Sequence, residues 1–369
     1  MKKVLFVATV LQKHINVFHT PFLELFQNEG YETHVASSND TGCVDVSISN
    51  CDVYTEIGFK RNPFHPSNFF AYLKMKKLLK HNFYDIIHCH TPVGALVGRL
   101  AARPYRKKGT KVYYTAHGFH FYKGAPVLNW LLYYPVEKIC SRFTDVLITI
   151  NQEDYALATK KMKARRVEYV PGVGVDLSKV ENLQVNRLLK RQELGIPEEA
   201  FLVLSVGELN DNKNHQVVIK AIAELDDPTV HYAIAGDGDK KDFLIDLAKE
   251  LGVSERVHFL GYRRDVLELY RSSDLFAFPS FREGLSVALM EAMACGMPVV
   301  CTKIRGNEDL IDTNGGVYFD PASVSSCQKA LEAIMASDTD AMKAYNTAKI
   351  KQFALSNILM EMRRIYDLP

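Results

Sequence analysis

The sequence has no apolar run close to the ~18–20 residues that a membrane-spanning helix needs. Its first apolar run, residues 4–8, is short and a polar stretch follows it, so we expect no signal peptide. Seven cysteines are present, but the number is odd and no Cys-x-x-Cys occurs. This pattern excludes a disulfide framework and indicates a reducing compartment. No nucleic-acid-binding module is recognisable, so we expect no nucleic-acid partner.

A chain of 369 residues suits two domains better than one core. Hydrophobic residues make up 47% of it, which is typical of a globular protein. Charge is unevenly distributed: residues 1–170 carry 23 basic and 13 acidic side chains (+10), and the remainder carries 22 and 30 (−8). The basic half predicts an anionic partner, and a lipid surface is favoured over nucleic acid. The alternative is a solvated basic face without a partner.

Strand and helix patterns alternate along both halves of the chain, and the alternation restarts after a Pro-Gly-Val-Gly turn at 171–174. Such alternation is typical of parallel sheets that are covered on both faces and bind ligands at the carboxyl ends of their strands. The sequence therefore predicts an α/β fold of two Rossmann-like, doubly wound domains facing a central cleft. The predicted domains are residues 1–171 and 172–340, followed by a helical segment at 341–369.

The working centre is predicted between 274 and 302, where the pattern is strand, loop, helix, strand. Glu283 precedes the helix, and Glu291 lies further along it on roughly the same face. Between them, the backbone N–H groups of Gly284, Leu285 and Ser286 are suited to phosphate, because the first N–H groups of a helix lack intrahelical partners. Two carboxylates that flank a phosphate site suit a nucleotide sugar. Acidic residues attracted to a helix N-terminus are the alternative interpretation.

The motif Glu-Gly-Leu-Ser-Val-Ala-Leu-Met-Glu at 283–291, followed by Ala-Met-Ala-Cys-Gly-Met-Pro, closely resembles the signature of glycosyltransferase family 4. These are retaining enzymes of the GT-B fold, and the resemblance implies that the C-terminal helix within 341–369 crosses back to the first domain. The resemblance implies that Glu283 contacts hydroxyl groups of the donor sugar and that Glu291 holds the ribose hydroxyls. The backbone after Glu283 would hold the diphosphate.

A predicted strand at 201–206 ends in Gly-Glu-Leu-Asn-Asp-Asn-Lys, which places Lys213 at the next helix start. A lysine there can neutralise a departing diphosphate; a surface lysine is the alternative. The family pattern has an arginine where this chain has Glu208, so the resemblance implies a donor-binding position without its usual cation. Arg282 and Arg305 are candidate substitutes. By the same resemblance, Arg263 lies near the nucleobase.

The first half offers candidate residues at the end of the predicted strand 111–116. By resemblance, His117 points at the donor sugar and the reacting centre, and His120 and Lys123 shape the acceptor side. A core histidine with a satisfied hydrogen bond is the alternative for His117. His14, in the loop after the first strand, resembles the family's acceptor and phosphate loop only weakly, since the usual glycine pair is absent.

His88-Cys89-His90 suggests a metal site, because histidine and cysteine are zinc ligands. A third and a fourth ligand at standard spacing are missing, and the resembled family often has such a strand end without metal. We therefore expect no metal ion, no cofactor and a metal-independent reaction.

These features predict a retaining glycosyltransferase that moves a sugar from a UDP-sugar to a glycan acceptor. The resemblance implies a bacterial capsule or exopolysaccharide pathway, in which the acceptor is linked to polyprenyl diphosphate, although a free glycan is the alternative. A basic, aromatic surface over 64–80 and 127–134 would hold the protein on the cytoplasmic face of the cell membrane as a peripheral protein; core packing is the alternative for 127–134. The alternative functions are a non-catalytic UDP-sugar-binding partner and a UDP-hexosamine 2-epimerase.

Overall fold

The computed structural model describes residues 1–43 and 46–369. The chain forms two compact units, Met1–Val173 with Ser356–Pro369, and Gly174–Leu355. The boundary between the two units at Val173 and Gly174 lies within the predicted turn at 171–174. Residues 341–355, which the sequence assigned to a separate C-terminal segment, belong to the second unit, and the residues after them belong to the first.

The strands are short, as expected for residues that alternate with helices. In chain order they are β1 Lys3–Val10, β2 Glu32–Ser38, β3 Val53–Glu56, β4 Ile86–His90, β5 Lys111–Ala116, β6 Val146–Thr149, β7 Arg166–Tyr169, β8 Phe201–Val206, β9 Val230–Ala235, β10 Val257–Gly261, β11 Leu275–Phe278, β12 Val299–Thr302 and β13 Gly316–Phe319.

Helices follow most strands. They are α1 Asn16–Phe18, α2 Thr20–Asn28, α3 Ser67–His81, α4 Pro92–Ala102, α5 Val127–Ser141, α6 Gln152–Lys161, α7 Ser178–Glu181, α8 Arg187–Glu193, α9 His215–Glu224, α10 Lys241–Glu250, α11 Val266–Ser272, α12 Val287–Ala294, α13 Asn307–Leu310, α14 Val324–Met335, α15 Asp340–Lys349 and α16 Leu355–Ile365. A π-helical turn, Leu11–Ile15, follows β1 directly.

The first unit contains a seven-stranded parallel sheet in the order β3-β2-β1-β4-β5-β6-β7. Each face of the sheet buries an apolar core. Met75 of α3 and Val97 of α4 belong to one core. Phe26 of α2 packs in the other core, together with Met362 and Ile365 of α16. The C-terminal helix therefore completes one face of this sheet.

The second unit contains a six-stranded parallel sheet in the order β10-β9-β8-β11-β12-β13. Its core includes Val218 of α9 and Leu331 of α14. In both sheets the strand order changes direction next to the first strand, between β1 and β4 and between β8 and β11. Ligands of doubly wound sheets bind outside the carboxyl ends of the strands at such positions. The prediction of two doubly wound parallel sheets is confirmed.

The structure contains elements that the sequence analysis did not predict. Strand β13 follows the Asn314-Gly315 turn and has four residues, two of them only partly buried, so its apolar pattern is weak. Helix α13 is a single turn, and the π-helical turn after β1 lies in a stretch that was interpreted as a loop. The seven cysteines are free thiols, and five of them are buried.

Candidate functional site

A lysine and a glutamate meet at the carboxyl edge of the second sheet. Lys213 follows β8 and Glu283 follows β11, which are the neighbouring strands where the order changes. Nζ of Lys213 lies 2.7 Å from Oε1 of Glu283 and 4.7 Å from the centroid of the Phe278 ring. Their side chains are 20% and 14% exposed, so the pair is mostly shielded from water. The structure thus brings together two residues predicted for one site.

The loops that carry this pair are joined to each other. The N–H of Phe281 donates to the carbonyl oxygen of Asn212 at 2.8 Å, and the Asn212 amide donates to the carbonyl oxygen of Arg282 at 2.9 Å. A Cβ atom at Gly207 would lie 3.2 Å from Cε of Lys213, so the missing side chain leaves room for the lysine. These contacts fix the position of Lys213 relative to the start of α12.

The start of α12 follows Glu283 directly. Oγ of Ser286 accepts a hydrogen bond from the N–H of Leu289 and caps the helix. Gly306 has φ +80°, and a Cβ atom there would lie 2.3 Å from the carbonyl oxygen of Gly284. This close approach fixes the backbone of the loop that was predicted to hold a diphosphate. Leu285 points into the protein and is buried, so the loop offers its backbone rather than this side chain.

Glu291 lies within α12 and is only partly exposed. Its Oε2 lies 3.5 Å from the hydroxyl group of Tyr270, which donates to the carbonyl oxygen of Ala288 at 2.9 Å. Burial raises the pKa of Glu291 to about 7, against a smaller opposite effect of Tyr270 and of the charge on Lys179. The carboxyl oxygens keep free capacity to accept hydrogen bonds, as a site for ribose hydroxyls requires.

The remaining candidates in the second unit differ in their surroundings. Glu208 is exposed and accepts a hydrogen bond from the Asn210 amide at 3.1 Å. The guanidinium of Arg282 has no hydrogen bond or ion pair among the residues that the structure describes, and it therefore stays available for an anion. Arg263 donates to Asp265 and Glu193, and its contact with a nucleobase stays a prediction.

Four buried or half-buried histidines meet at the carboxyl edge of the first sheet, and we call them the four-histidine cluster: His14, His19, His90 and His117. His14 lies in the π-helical turn, His19 precedes α2, His90 ends β4 and His117 follows β5. The ring centroids of His14 and His117 are 4.7 Å apart, and those of His19 and His90 are 3.8 Å apart. The two candidates from distant segments, His14 and His117, are thus neighbours.

Burial is the largest cause of the low pKa values in the cluster. It lowers the pKa of His117 to about 4 and the pKa values of His14, His19 and His90 well below the ordinary range for histidine. The rings are therefore neutral at pH 7. Neutral imidazole has one nitrogen that accepts, which suits either a proton from a hydroxyl group or a metal ion.

His88, which the sequence analysis considered as a metal ligand, does not belong to this cluster. Its Nδ1 lies 2.6 Å from the hydroxyl group of Tyr366 and its Nε2 lies 2.8 Å from Oγ1 of Thr115, so both nitrogens are occupied. Further candidates for the acceptor side are close to His117 in sequence. The His120 ring lies 4.8 Å from that of Tyr133, and Lys123 is exposed.

The first unit exposes apolar side chains on two helices. On α3, Phe69 and Phe70 are 62% and 65% exposed, and on α5, Val127 and Leu131 are 74% and 67% exposed. Trp130 faces the other way and packs against the core. Core packing therefore holds for the face with Trp130, and for the exposed face of α5 a contact with lipid stays a prediction. Among the described residues, no helix is both long and apolar enough to span a bilayer.

Sequence reasoning did not single out His19 or Gly306, and it considered His90 only together with His88. The members of the four-histidine cluster become neighbours only because β1, β4 and β5 are adjacent in the sheet. The strand order could have indicated this, because it places the carboxyl ends of β1 and β4 side by side. Gly306 had no signal apart from its position after the β12 strand.

Two family models match the chain, and together they cover most of it. Residues 3–151 match "Glycosyl transferase 4-like", and residues 186–351 match "Glycosyl transferases group 1". The first match covers the unit with the four-histidine cluster. The second covers the unit that holds Lys213, Glu283 and Glu291.

Known proteins agree with these matches. EpsD of Bacillus subtilis (strain 168), whose name assigns it to the glycosyltransferases, is 42% identical over 84% of this chain and 81% of its own length. A galactosyltransferase of Escherichia coli, named for UDP-Gal and GlcNAc-diphosphoundecaprenol, is 27% identical over 78% of this chain and 76% of its own length. The structure of Anabaena Alr3699/HepE in complex with UDP and glucose is 19% identical and superimposes with a TM-score of 0.78 over the whole of both chains. The chain therefore belongs to the group 1, family 4-like glycosyltransferases of the GT-B fold.

Proposed function

We propose that the protein transfers a sugar, with retention of configuration, from a UDP-sugar to a glycan acceptor. The observation that carries this proposal is the 2.7 Å contact of Lys213 with Glu283 directly before α12. A cation, a carboxylate and the free N–H groups of a helix meet at the position where a doubly wound sheet binds its ligand. These are the groups that a sugar diphosphate requires.

The leaving group is the centre of the proposed reaction. Negative charge develops on the diphosphate as the sugar departs, and Lys213 with the backbone of Gly284–Ser286 stabilises it because both are already in place. Arg282 is our candidate for the second cation, since Glu208 occupies the place of the family arginine and the Arg282 guanidinium has no partner among the residues that the structure describes. Diphosphate charge is then neutralised by side chains, so we propose that the chemical step needs no metal ion.

Two carboxyl groups would hold the donor by its hydroxyl groups. Glu283 would contact the sugar, and Glu291, which has unused acceptor capacity, would contact the ribose. HepE binds UDP and glucose within a similar fold, which supports a UDP-sugar as the donor. His117 is proposed to face the reacting centre, with His14, His120 and Lys123 on the acceptor side.

The acceptor is proposed to be a glycan on polyprenyl diphosphate in bacterial capsule or exopolysaccharide synthesis. The named acceptor of the E. coli relative supports this class of substrate. The formal charge of +10 over residues 1–170 and the apolar side chains exposed on α3 and α5 support binding to an anionic membrane surface. We therefore propose that the protein works at the inner face of the cell membrane as a peripheral protein.

Nucleotide release tests this function directly. Purified protein is incubated with a panel of UDP- and GDP-sugars, with and without a lipid extract that contains polyprenyl-diphosphate glycans. We expect UDP release from one UDP-sugar, and only when the lipid is present. The anomeric configuration of the product, measured by NMR, tests retention separately.

Lys213→Ala is the negative control for contaminating activity, because it removes the proposed phosphate ligand. Tight UDP binding without release from any donor in the presence of lipid would contradict catalysis and support a non-catalytic UDP-sugar-binding partner. Interconversion of two UDP-hexosamines would instead support the epimerase alternative.

A further inference from the structure

The four-histidine cluster brings ring nitrogens together in two pairs, each at hydrogen-bonding distance. Each ring offers one nitrogen, and the four nitrogens all lie within 4.8 Å of one another. The Nε2 atoms of His14 and His19 are 3.1 Å apart, and Nδ1 of His90 is 3.3 Å from Nε2 of His117. The nitrogens therefore converge on one point.

These distances match the geometry of a tetrahedral metal centre. With Zn–N distances of about 2.0–2.1 Å, the nitrogens of a tetrahedral site are roughly 3.3 Å apart. Two pairs already have this separation. Bringing a pair at the 4.8 Å limit to the same spacing needs ring shifts of under roughly 1 Å each, which side-chain rotation can supply.

A second observation points to a ligand that the polypeptide itself does not supply. His90 faces Nε2 of His117 with its Nδ1, and its second ring nitrogen, Nε2, is buried without a hydrogen-bond partner among the described residues, so this ring has a nitrogen to offer beyond the contact with His117. Leaving a polar atom unpaired at such a place destabilises the fold unless a ligand fills the position. A cavity of about 20 Å³ lies beside the cluster and has room for one ion or one water molecule; it is lined by His19, His90 and His117 and by apolar side chains such as Ile148, but not by His14.

We propose that the four-histidine cluster is a binding site for one divalent transition-metal ion of the zinc class. Imidazole nitrogen suits Zn²⁺, Co²⁺, Ni²⁺ and Cu²⁺, whereas Mg²⁺ and Ca²⁺ prefer oxygen ligands. The partly exposed ring of His117 gives the ion a route from solvent, and the other three rings are buried. The Phe6 ring stacks on His90 and adds an apolar wall that strengthens metal–ligand bonds.

The proposal revises the reason for expecting no metal. That expectation depended on the missing third and fourth ligands next to His88-Cys89-His90. The fold supplies His14, His19 and His117 from other segments, and His88 is excluded because both its nitrogens are occupied. Metal binding is measured without donor or acceptor, so its outcome is independent of the proposed transfer reaction, although the site shares His14 and His117 with the groups proposed for that reaction.

Metal titration of the full chain, without a polyhistidine tag and after dialysis against a chelator, tests the proposal. Co²⁺ gives a strong visible absorption band when it is tetrahedral, and we expect one such ion per chain. Zn²⁺ should displace it and should raise the unfolding temperature. We expect His19→Gln and His90→Gln each to weaken Co²⁺ binding by roughly tenfold or more.

His81→Gln is the matched control, because His81 is exposed at the end of α3. The variant should bind Co²⁺ as the wild type does, whereas binding to exposed histidines would be weakened by it. Circular dichroism checks that each variant folds. If His90→Gln does not fold, His14→Gln provides the same test from the π-helical turn. Equal Co²⁺ binding by the wild type and by folded cluster variants, or no tetrahedral band in the wild type, would overturn the proposal.

Discussion

The side chains of Lys213 and Glu283 form an ion pair of 2.7 Å at the edge of the second sheet, next to the Phe278 ring. When a sugar diphosphate is bound, Lys213 would pair with the diphosphate and Glu283 would contact hydroxyl groups of the sugar. In the protein without ligand the pair neutralises two charges that would otherwise lie unpaired in a mostly buried place. The pair therefore keeps both groups in position for the donor.

Lys213→Ala should reduce kcat by at least about 100-fold, since it removes one preorganised stabiliser of the leaving diphosphate. Steady-state rates of UDP release measure this. Lys240→Ala is the matched control, because Lys240 pairs with the exposed Asp211 and is not a donor candidate. Similar turnover of Lys213→Ala and wild type would refute the phosphate role of Lys213.

Glu283→Gln should separate sugar binding from nucleotide binding. UDP has no sugar, and the substitution releases Lys213 from its ion pair, so UDP affinity measured by calorimetry should stay equal or increase. The transfer rate should fall, because a contact with the donor sugar is weakened. Weaker UDP binding together with normal transfer would show that the roles are assigned wrongly.

Glu291 should make stability depend on pH. Its pKa is raised to about 7 in the folded protein, so folding favours the protonated form. The protonated side chain contributes its full stability below a pH of about 4.5, which is the pKa of a glutamate in the unfolded chain. The free energy of unfolding then falls by up to about 3 kcal/mol as the pH rises through 7. Unfolding of the wild type and of Glu291→Gln between pH 5 and pH 8 should show a difference that grows with pH in favour of the variant. A constant difference would contradict the raised pKa.

Glu291→Ala should also raise the KM for the donor, because the variant loses the carboxyl group proposed for the ribose. Unchanged donor binding would remove that role.

Gly306→Ala should weaken UDP binding by roughly tenfold and lower stability, because the new Cβ meets the carbonyl oxygen of Gly284 at 2.3 Å. Gly252→Ala is a matched control with a similar positive φ of +70° and open space around the new atom. It should lose about 1 kcal/mol of stability without any change in UDP binding. The same effect of both variants on UDP binding would show that the contact with Gly284 is unimportant.

Leu131→Glu should reduce binding to anionic vesicles at least threefold, since Leu131 is 67% exposed on α5 and would carry a negative charge towards the lipid. Phe243→Glu, at a half-exposed position in the second unit, serves as the control in the same sedimentation assay. High salt should release the wild type. Equal loss of binding in both variants would indicate a change of net charge rather than a specific face.

The sequence predicted the two sheets because their strands are separate apolar runs that alternate with helical stretches. Short elements were missed, since the four residues of β13 have too few positions for a pattern. The motif around Glu283 and the position of Lys213 were found because each follows a predicted strand directly.

The four-histidine cluster could not be predicted as a unit. Its members come from four segments between residues 14 and 117, and only the pairing of β1 with β4 and of β4 with β5 brings them together. The exposed face of α5 could not be predicted either, because a sequence pattern does not show which of two apolar faces of a helix packs against the sheet. Trp130 packs inward and Leu131 does not.

The packing of α16 on the first sheet determines the order in which a nascent chain can fold. The last strand of that sheet ends at Tyr169, yet the ring of Tyr366 packs 4.6 Å from that of Phe26 in its core. The ribosome has to synthesise all of Gly174–Leu355 before this contact can form. During translation, the later unit, which is continuous in sequence, can therefore finish folding before the earlier one, whose apolar core around Phe26 stays incomplete until the final helix emerges.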